Sequence, residues 1–162
     1  MPKKRTEVTL RGLSKEILVQ LTQASNNYSK HLTQDKSSPF SSIDENILFT
    51  EFLMLSLWNL MTLFPQEIYD NVLRTYLEAL EQENHDKTAY SKLLEYRRMQ
   101  YTCSWAASGK NLPSIESVFL QNIDEKLMSD NKAHQFAATF LSQINGANSG
   151  LLELIKSEMQ IV

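Results

Sequence analysis

The most apolar stretch of the chain runs from Ile47 to Phe64, ILFTEFLMLSLWNLMTLF, with one carboxylate, Glu51, inside it. A segment that is apolar around most of its circumference is either a membrane span or a helix enclosed by other helices. A span needs about 20 mostly apolar residues. The charge-free part here, from Phe52 to Phe64, is 13 residues. Glu51 lies immediately before it, and Asp44 and Glu45 lie a turn or two earlier. A carboxylate in hydrocarbon costs roughly 2.5–3.5 kcal/mol. We therefore expect the central helix of a bundle and no membrane.

The flanking segments carry helical periodicity. Ile17, Leu18, Leu21, Ala24, Tyr28 and Leu32 share a face of a first helix, with Ser14 expected as its N-cap. DKSSPFSS (35–42) is a loop by composition. The central helix is expected to start near Ile43, capped by Ser41 or Ser42, with Asp44 and Glu45 at its positive end. Pro65 ends it and opens a third helix, whose stripe includes Ile68, Val72, Tyr76 and Leu80. Asp86 caps a fourth helix that extends to about Ser108 and stops at Gly109. Ser114 caps a fifth, with Ile115, Val118, Phe119, Ile123 and Leu127 on one face. Ala133, Phe136, Ala137, Phe140, Leu141 and Ile144 make a sixth. NGANSG reads as a turn, leaving Leu151 to Met159 as a short seventh helix.

These elements describe an all-α protein: a compact antiparallel helical bundle of about six or seven helices with a basic, extended N-terminal arm. We expect residues 1–12 to be a basic arm or short strand, and residues 13–162 to be a single helical domain. The scarcity of turn formers, 4 Gly and 4 Pro in 162 residues, disfavours an all-β fold. A hydrophobic content of 42% disfavours disorder.

The net charge of −3 is unevenly placed. Residues 1–36 hold 7 Lys and Arg against 3 Asp and Glu, a net +4; residues 37–162 hold 9 against 16, a net −7. A basic arm on an acidic body is expected, and a nucleic-acid-coating surface over the whole chain is not. Cys103 is the only cysteine, so no intrachain disulfide can form and a reducing, cytoplasmic location is expected. MPKKRTEVTLRG has no apolar run after its basic start, so no secretory signal is expected.

Signatures of chemistry are sparse. There is no G-x-G-x-x-G, no G-x-x-x-x-G-K and no G-x-S-x-G. His31, His85 and His134 fall on different elements, and no Glu-x-x-His occurs, so no metal or other cofactor is expected. Glu51 in its apolar helix needs a cation or a raised pKa. On the fourth helix Tyr90, Leu94, Arg97, Tyr101 and Trp105 share a face, which makes Arg97 the partner to expect for Glu51. The opposite side, with Ala89, Tyr96, Met99, Cys103 and Ala106, is also apolar, so this helix too is expected to be interior. Glu51, Trp58, Arg97, Tyr101 and Trp105 are thus the candidates for ligand or partner contact; each is also a core candidate.

The first 20 residues hold one further pattern. KKRTEVTLRGLSKEILVQL combines a basic start, alternating residues and an amphipathic helix, and it resembles the opening of ribbon-helix-helix DNA-binding proteins. That resemblance implies a strand in the DNA major groove and a dimer. Lys3, Lys4, Arg5, Arg11 and Lys15 would then be the nucleic-acid contacts. The family follows with a short turn and a second helix, where this chain has SNNYSKHLTQDKSSPFSS.

The expected function is a non-catalytic cytoplasmic protein-interaction or regulatory module with a protein partner. Self-association, DNA binding through the arm, and a small-ligand sensor or enzyme around Glu51, Arg97 and Tyr101 are the alternatives.

Overall fold

The computed structural model describes residues 3–106 and 113–162. The chain order is β1 (Thr6–Val8), α1 (Leu10–Gln34), α2 (Glu45–Leu63), α3 (Gln66–Gln82), α4 (Lys87–Ala106), α5 (Ile115–Ile123), a 3₁₀ turn (Glu125–Ser129), α6 (Asn131–Glu158) and β2 (Met159–Ile161). The fold is an all-α bundle with one small parallel ribbon.

The bundle is organised by α2. It is long and apolar enough to cross a bilayer by length and composition. Every residue from Glu51 to Leu60 is nonetheless buried by protein. The reason is that α2 separates two cores. Leu53, Met54, Leu57 and Leu60 pack into one, with Ile17 and Leu21 of α1 and Val72 and Tyr76 of α3. Leu48, Phe52, Leu55 and Trp58 pack into the other, with Tyr101 of α4, Phe119 of α5 and Phe140 of α6. Each such Leu or Phe contributes roughly 1.5–3 kcal/mol on burial. A helix serving two cores has no polar side to spare, which is the pattern read from the sequence.

Helix ends differ from expectation where side chains other than those chosen reach the free backbone amides. Thr9, not Ser14, caps α1, accepting from Gly12 N at 3.0 Å. Ser14 lies buried inside the helix, its hydroxyl donating to the Leu10 carbonyl at 2.7 Å. Asp44, rather than Ser41 or Ser42, caps α2 by accepting from Asn46 N and Ile47 N. Asp86 and Ser114 cap their helices as expected. The fifth helix ends at Ile123, because Asp124 turns the chain into the 3₁₀ segment that holds Leu127. The expected stop of α4 at Gly109 lies outside the described residues.

The largest correction is at NGANSG, which is not a turn. The helix continues through it, so the sixth and seventh expected helices are one, α6. Asn148 is buried against α2, donating to Asn59 Oδ1 at 2.9 Å and to the Ser56 carbonyl at 3.4 Å. Asn59 in turn donates to Asn145 Oδ1 at 3.0 Å. Gly146 and Gly150 are on the outer side, with open space where a Cβ would be. Tertiary hydrogen bonds thus override the local preference of Asn and Gly against a helix interior.

At the termini, β1 pairs with β2, Thr6 opposite Met159 and Val8 opposite Ile161. Val162 N extends the ladder to the Val8 carbonyl at 3.0 Å.

Candidate functional site

α4 carries most of the side chains singled out in the sequence, and it docks by one side only. Leu94, Tyr101 and Ser104 are buried. Arg97, on the same side, meets Glu51 of α2. Its Nε donates to both carboxylate oxygens at 3.1 and 3.0 Å, and its Nη2 donates to Oε1 at 2.7 Å. This is the pairing expected from the helix faces. The remaining Nη1 donates to Gln100 Oε1 at 3.1 Å, which also accepts from Asn122 Nδ2 of α5 at 3.3 Å. The pair and its two amides clamp α2, α4 and α5 together. Burial pushes the Glu51 carboxyl above its ordinary pKa, with Arg97 pulling against it.

Tyr101 is wholly buried beside this cluster and packs on Trp58 with tilted rings, their centroids 5.5 Å apart. Burial, reinforced by the Glu51 charge, pushes its phenol far up. The hydroxyl has no hydrogen-bond partner among the described residues. Trp58 is 3% exposed, its Nε1 donating to Thr102 Oγ1 at 3.2 Å. Glu51, Arg97, Trp58 and Tyr101 are therefore brought together as a packed, paired unit, and of the four only Trp58 reaches the wall of a groove.

Trp105 behaves otherwise. It is 60% exposed. With Trp58, Ile115 and Leu141 it lines a groove of about 480 Å³ that also presents Asn59 and Asn145. The other apolar side of α4, expected to be interior, faces solvent instead. Tyr96 is 57% and Met99 60% exposed, and Ala89, Cys103 and Ala106 are exposed as well. No element packs on that side among the described residues, because the clamp and α4's small buried strip already seat the helix. Apolar composition alone does not distinguish a second buried face from an uncovered one.

The basic residues of the arm are dispersed. Lys3 pairs with Glu158 at 2.9 Å, and Arg11 approaches Glu78 at 3.9 Å, both exposed. Arg11 and Lys15 lie on α1, which begins earlier than expected. Lys4, Arg5 and Lys15 are exposed and form no ion pair among the described residues. Among the described residues no three His, Cys, Asp or Glu side chains cluster as a metal site would require.

A second cavity, of about 430 Å³, was not foreseen. It lies between α1, α2 and the turn joining α3 to α4, and includes Tyr76, Glu83, His85 and Tyr90. No sequence motif marks it, since its residues converge through a turn whose shape depends on Asn84 at φ 59°.

Comparison with protein-family models, with curated proteins and with solved structures gives no match for this chain.

Proposed function

We propose that this chain is a non-catalytic, cytoplasmic interaction module that binds another protein through the outer side of α4 and the adjoining Trp58–Trp105 groove. The observation that carries this reading is the set of large apolar side chains that α4 leaves more than half exposed: Tyr96 and Met99 on its outer side, and Trp105, on the Arg97 side, at the groove. Large exposed apolar side chains grouped on one element mark contact surfaces, whereas single ones do not. Aromatic and methionine side chains are those most enriched in interface centres. The groove accepts an anchor side chain, and the exposed Asn145 amide nitrogen at its wall, which makes no hydrogen bond among the described residues, offers one that fixes orientation. An amphipathic helix anchored in the groove against Trp105 makes such a contact.

The acid–base alternative around Glu51 and Arg97 finds less support. Most of their hydrogen-bonding capacity is used by each other and by Gln100, and neither cavity opens on them.

A photo-crosslinking residue placed at position 99 or 105, with position 143 on the exposed side of α6 as control, tests the proposal in cells of the native host. A discrete adduct from 99 and 105 but not from 143 is expected, and it should vanish in a Met99→Asp background for the probe at 105. Equal adducts from all three positions, or none from 99 and 105, would contradict it.

DNA binding is retained as a second reading because Lys4, Arg5 and Lys15 are exposed and unpaired among the described residues. Replacing all three by Gln leaves β1 and the α1 cap in place, so it isolates charge from folding. On this reading the affinity for duplex DNA falls steeply with salt, and the triple variant has a shallower slope. No measurable DNA binding at low salt would eliminate it.

A further inference from the structure

The cavity between α1, α2 and the α3–α4 turn has the composition of a ligand site. Its apolar part is made by Leu18, Phe49, Leu53 and Leu80. Its polar end is built by the turn. His85 N donates to the Leu80 carbonyl at 2.9 Å and Glu83 N to the Ala79 carbonyl at 3.1 Å. Between them Asn84 takes the left-handed conformation, φ 59°, which sets Glu83 and His85 on one rim. The Glu83 carboxylate lies 3.5 Å from His85 Nε2, and the His85 ring meets Tyr90 edge-on at 5.8 Å.

Two phenols complete that end: Tyr76 is 6% exposed and Tyr90 half-buried, and neither hydroxyl makes a hydrogen bond among the described residues. Burial, with the neighbouring Tyr90, pushes the Tyr76 phenol up, so that ring is neutral near pH 7. The Tyr76 oxygen is not sealed in protein as that of Tyr101 is, so both hydroxyls are accessible as donor and acceptor groups on the cavity lining.

Charge decides which guest. The lining holds one carboxylate, Glu83, and no Lys or Arg. Three aromatic side chains, Phe49, Tyr76 and Tyr90, line it, and an aromatic face attracts a cation. Outside the lining, Glu81 at the end of α3 is engaged by Lys87 at 3.5 Å and Asp86 caps α4. At about 430 Å³ the volume falls in the range of small-molecule sites. We propose that this cavity binds a small organic ammonium ion with an apolar body, the ammonium toward Glu83 and the tyrosine hydroxyls and the body on Leu18, Phe49, Leu53 and Leu80. This site is separate from the α4 surface and does not depend on its role.

Three probes of one size separate the contributions: 2-phenylethylammonium, the neutral 2-phenylethanol and the anionic 3-phenylpropanoate, each titrated into the full chain while amide resonances are followed. The ammonium should give saturable shifts at Phe49 and through residues 80–90, with affinity at least about fivefold above the alcohol and further above the carboxylate. Glu83→Gln should bring amine and alcohol toward equal affinity, and Tyr90→Leu should weaken the amine about fivefold or more. Glu83 is exposed and Tyr90 half-buried, so both variants should keep the remaining resonances in place. Absence of saturable shifts, equal or tighter binding of the alcohol or the carboxylate, or binding indifferent to both substitutions would each overturn the proposal.

Discussion

Replacing Arg97 by Met removes the cation but keeps much of the side-chain volume. Its partner Glu51 is then left with an uncompensated charge in a site where the two side chains are 5% and 13% exposed. Three N–H···O contacts between 2.7 and 3.1 Å are lost at once. Breaking one side of such a buried pair costs about 3–5 kcal/mol. For a chain of this size each kcal/mol moves Tm by about 2–4 °C, so a fall of roughly 6–20 °C is expected. The double variant Glu51→Leu/Arg97→Met removes the stranded charge as well and should recover most of that loss, to within about 1 kcal/mol of the native chain or above it.

The pH dependence gives the same test a sign. In the native chain Glu51 already sits above its ordinary value of 4.5, because burial outweighs the pull of Arg97. Without Arg97 that pull disappears and the folded-state pKa rises further. The folded variant then holds a proton that the unfolded chain releases, so its stability falls as pH climbs from 4.5 through the raised folded value. The deficit of Arg97→Met should therefore be smaller in mild acid than at neutral pH, and Glu51→Leu/Arg97→Met should lack this dependence. Urea unfolding of the three chains at both pH values measures it. A single-variant cost below about 1 kcal/mol that is the same at both pH values, or a double variant no better than the single, would refute the view of this pair as a buried clamp.

Other outcomes follow from the packing. Gly146→Ala and Gly150→Ala, each with open space at the Cβ, should stabilise the chain by about 0.5–1 kcal/mol apiece in thermal or urea unfolding. Asn148→Ala strands Asn59 Oδ1 and should cost about 1–3 kcal/mol by the same assay. Tyr101→Phe removes a buried hydroxyl without a protein partner among the described residues, and it should be neutral or stabilising. Trp105→Ser should change stability by no more than about 0.5 kcal/mol, whereas Trp58→Ala, in the second core, should cost about 3–5 kcal/mol.

The sequence revealed the enclosed central helix because hydrophobic periodicity records how many sides of a helix are buried, and α2 is buried on all of them. It also revealed the Glu51–Arg97 pairing, since one carboxylate in an apolar helix and one arginine among aromatics leave few other solutions. Three features escaped it. The continuation of α6 through NGANSG depends on Asn148 bonding to a helix 89 residues away in sequence, which no local propensity encodes. The outer side of α4 is apolar without being covered, so its composition misleads. The cavity at Glu83, His85, Tyr76 and Tyr90 exists only because the turn at Asn84 folds back on α1 and α2.

Cys103, the only cysteine, lies on the outer side of α4 and is exposed. Its maleimide labelling rate therefore reads directly whether that side is covered. If a partner protein occupies this surface, the purified chain labels as an open thiol. In undiluted extract of the native host it labels at least about tenfold more slowly, and Met99→Asp with Trp105→Ser restores the fast rate. Equally fast labelling in purified protein and in extract would contradict the assignment of this surface to a partner.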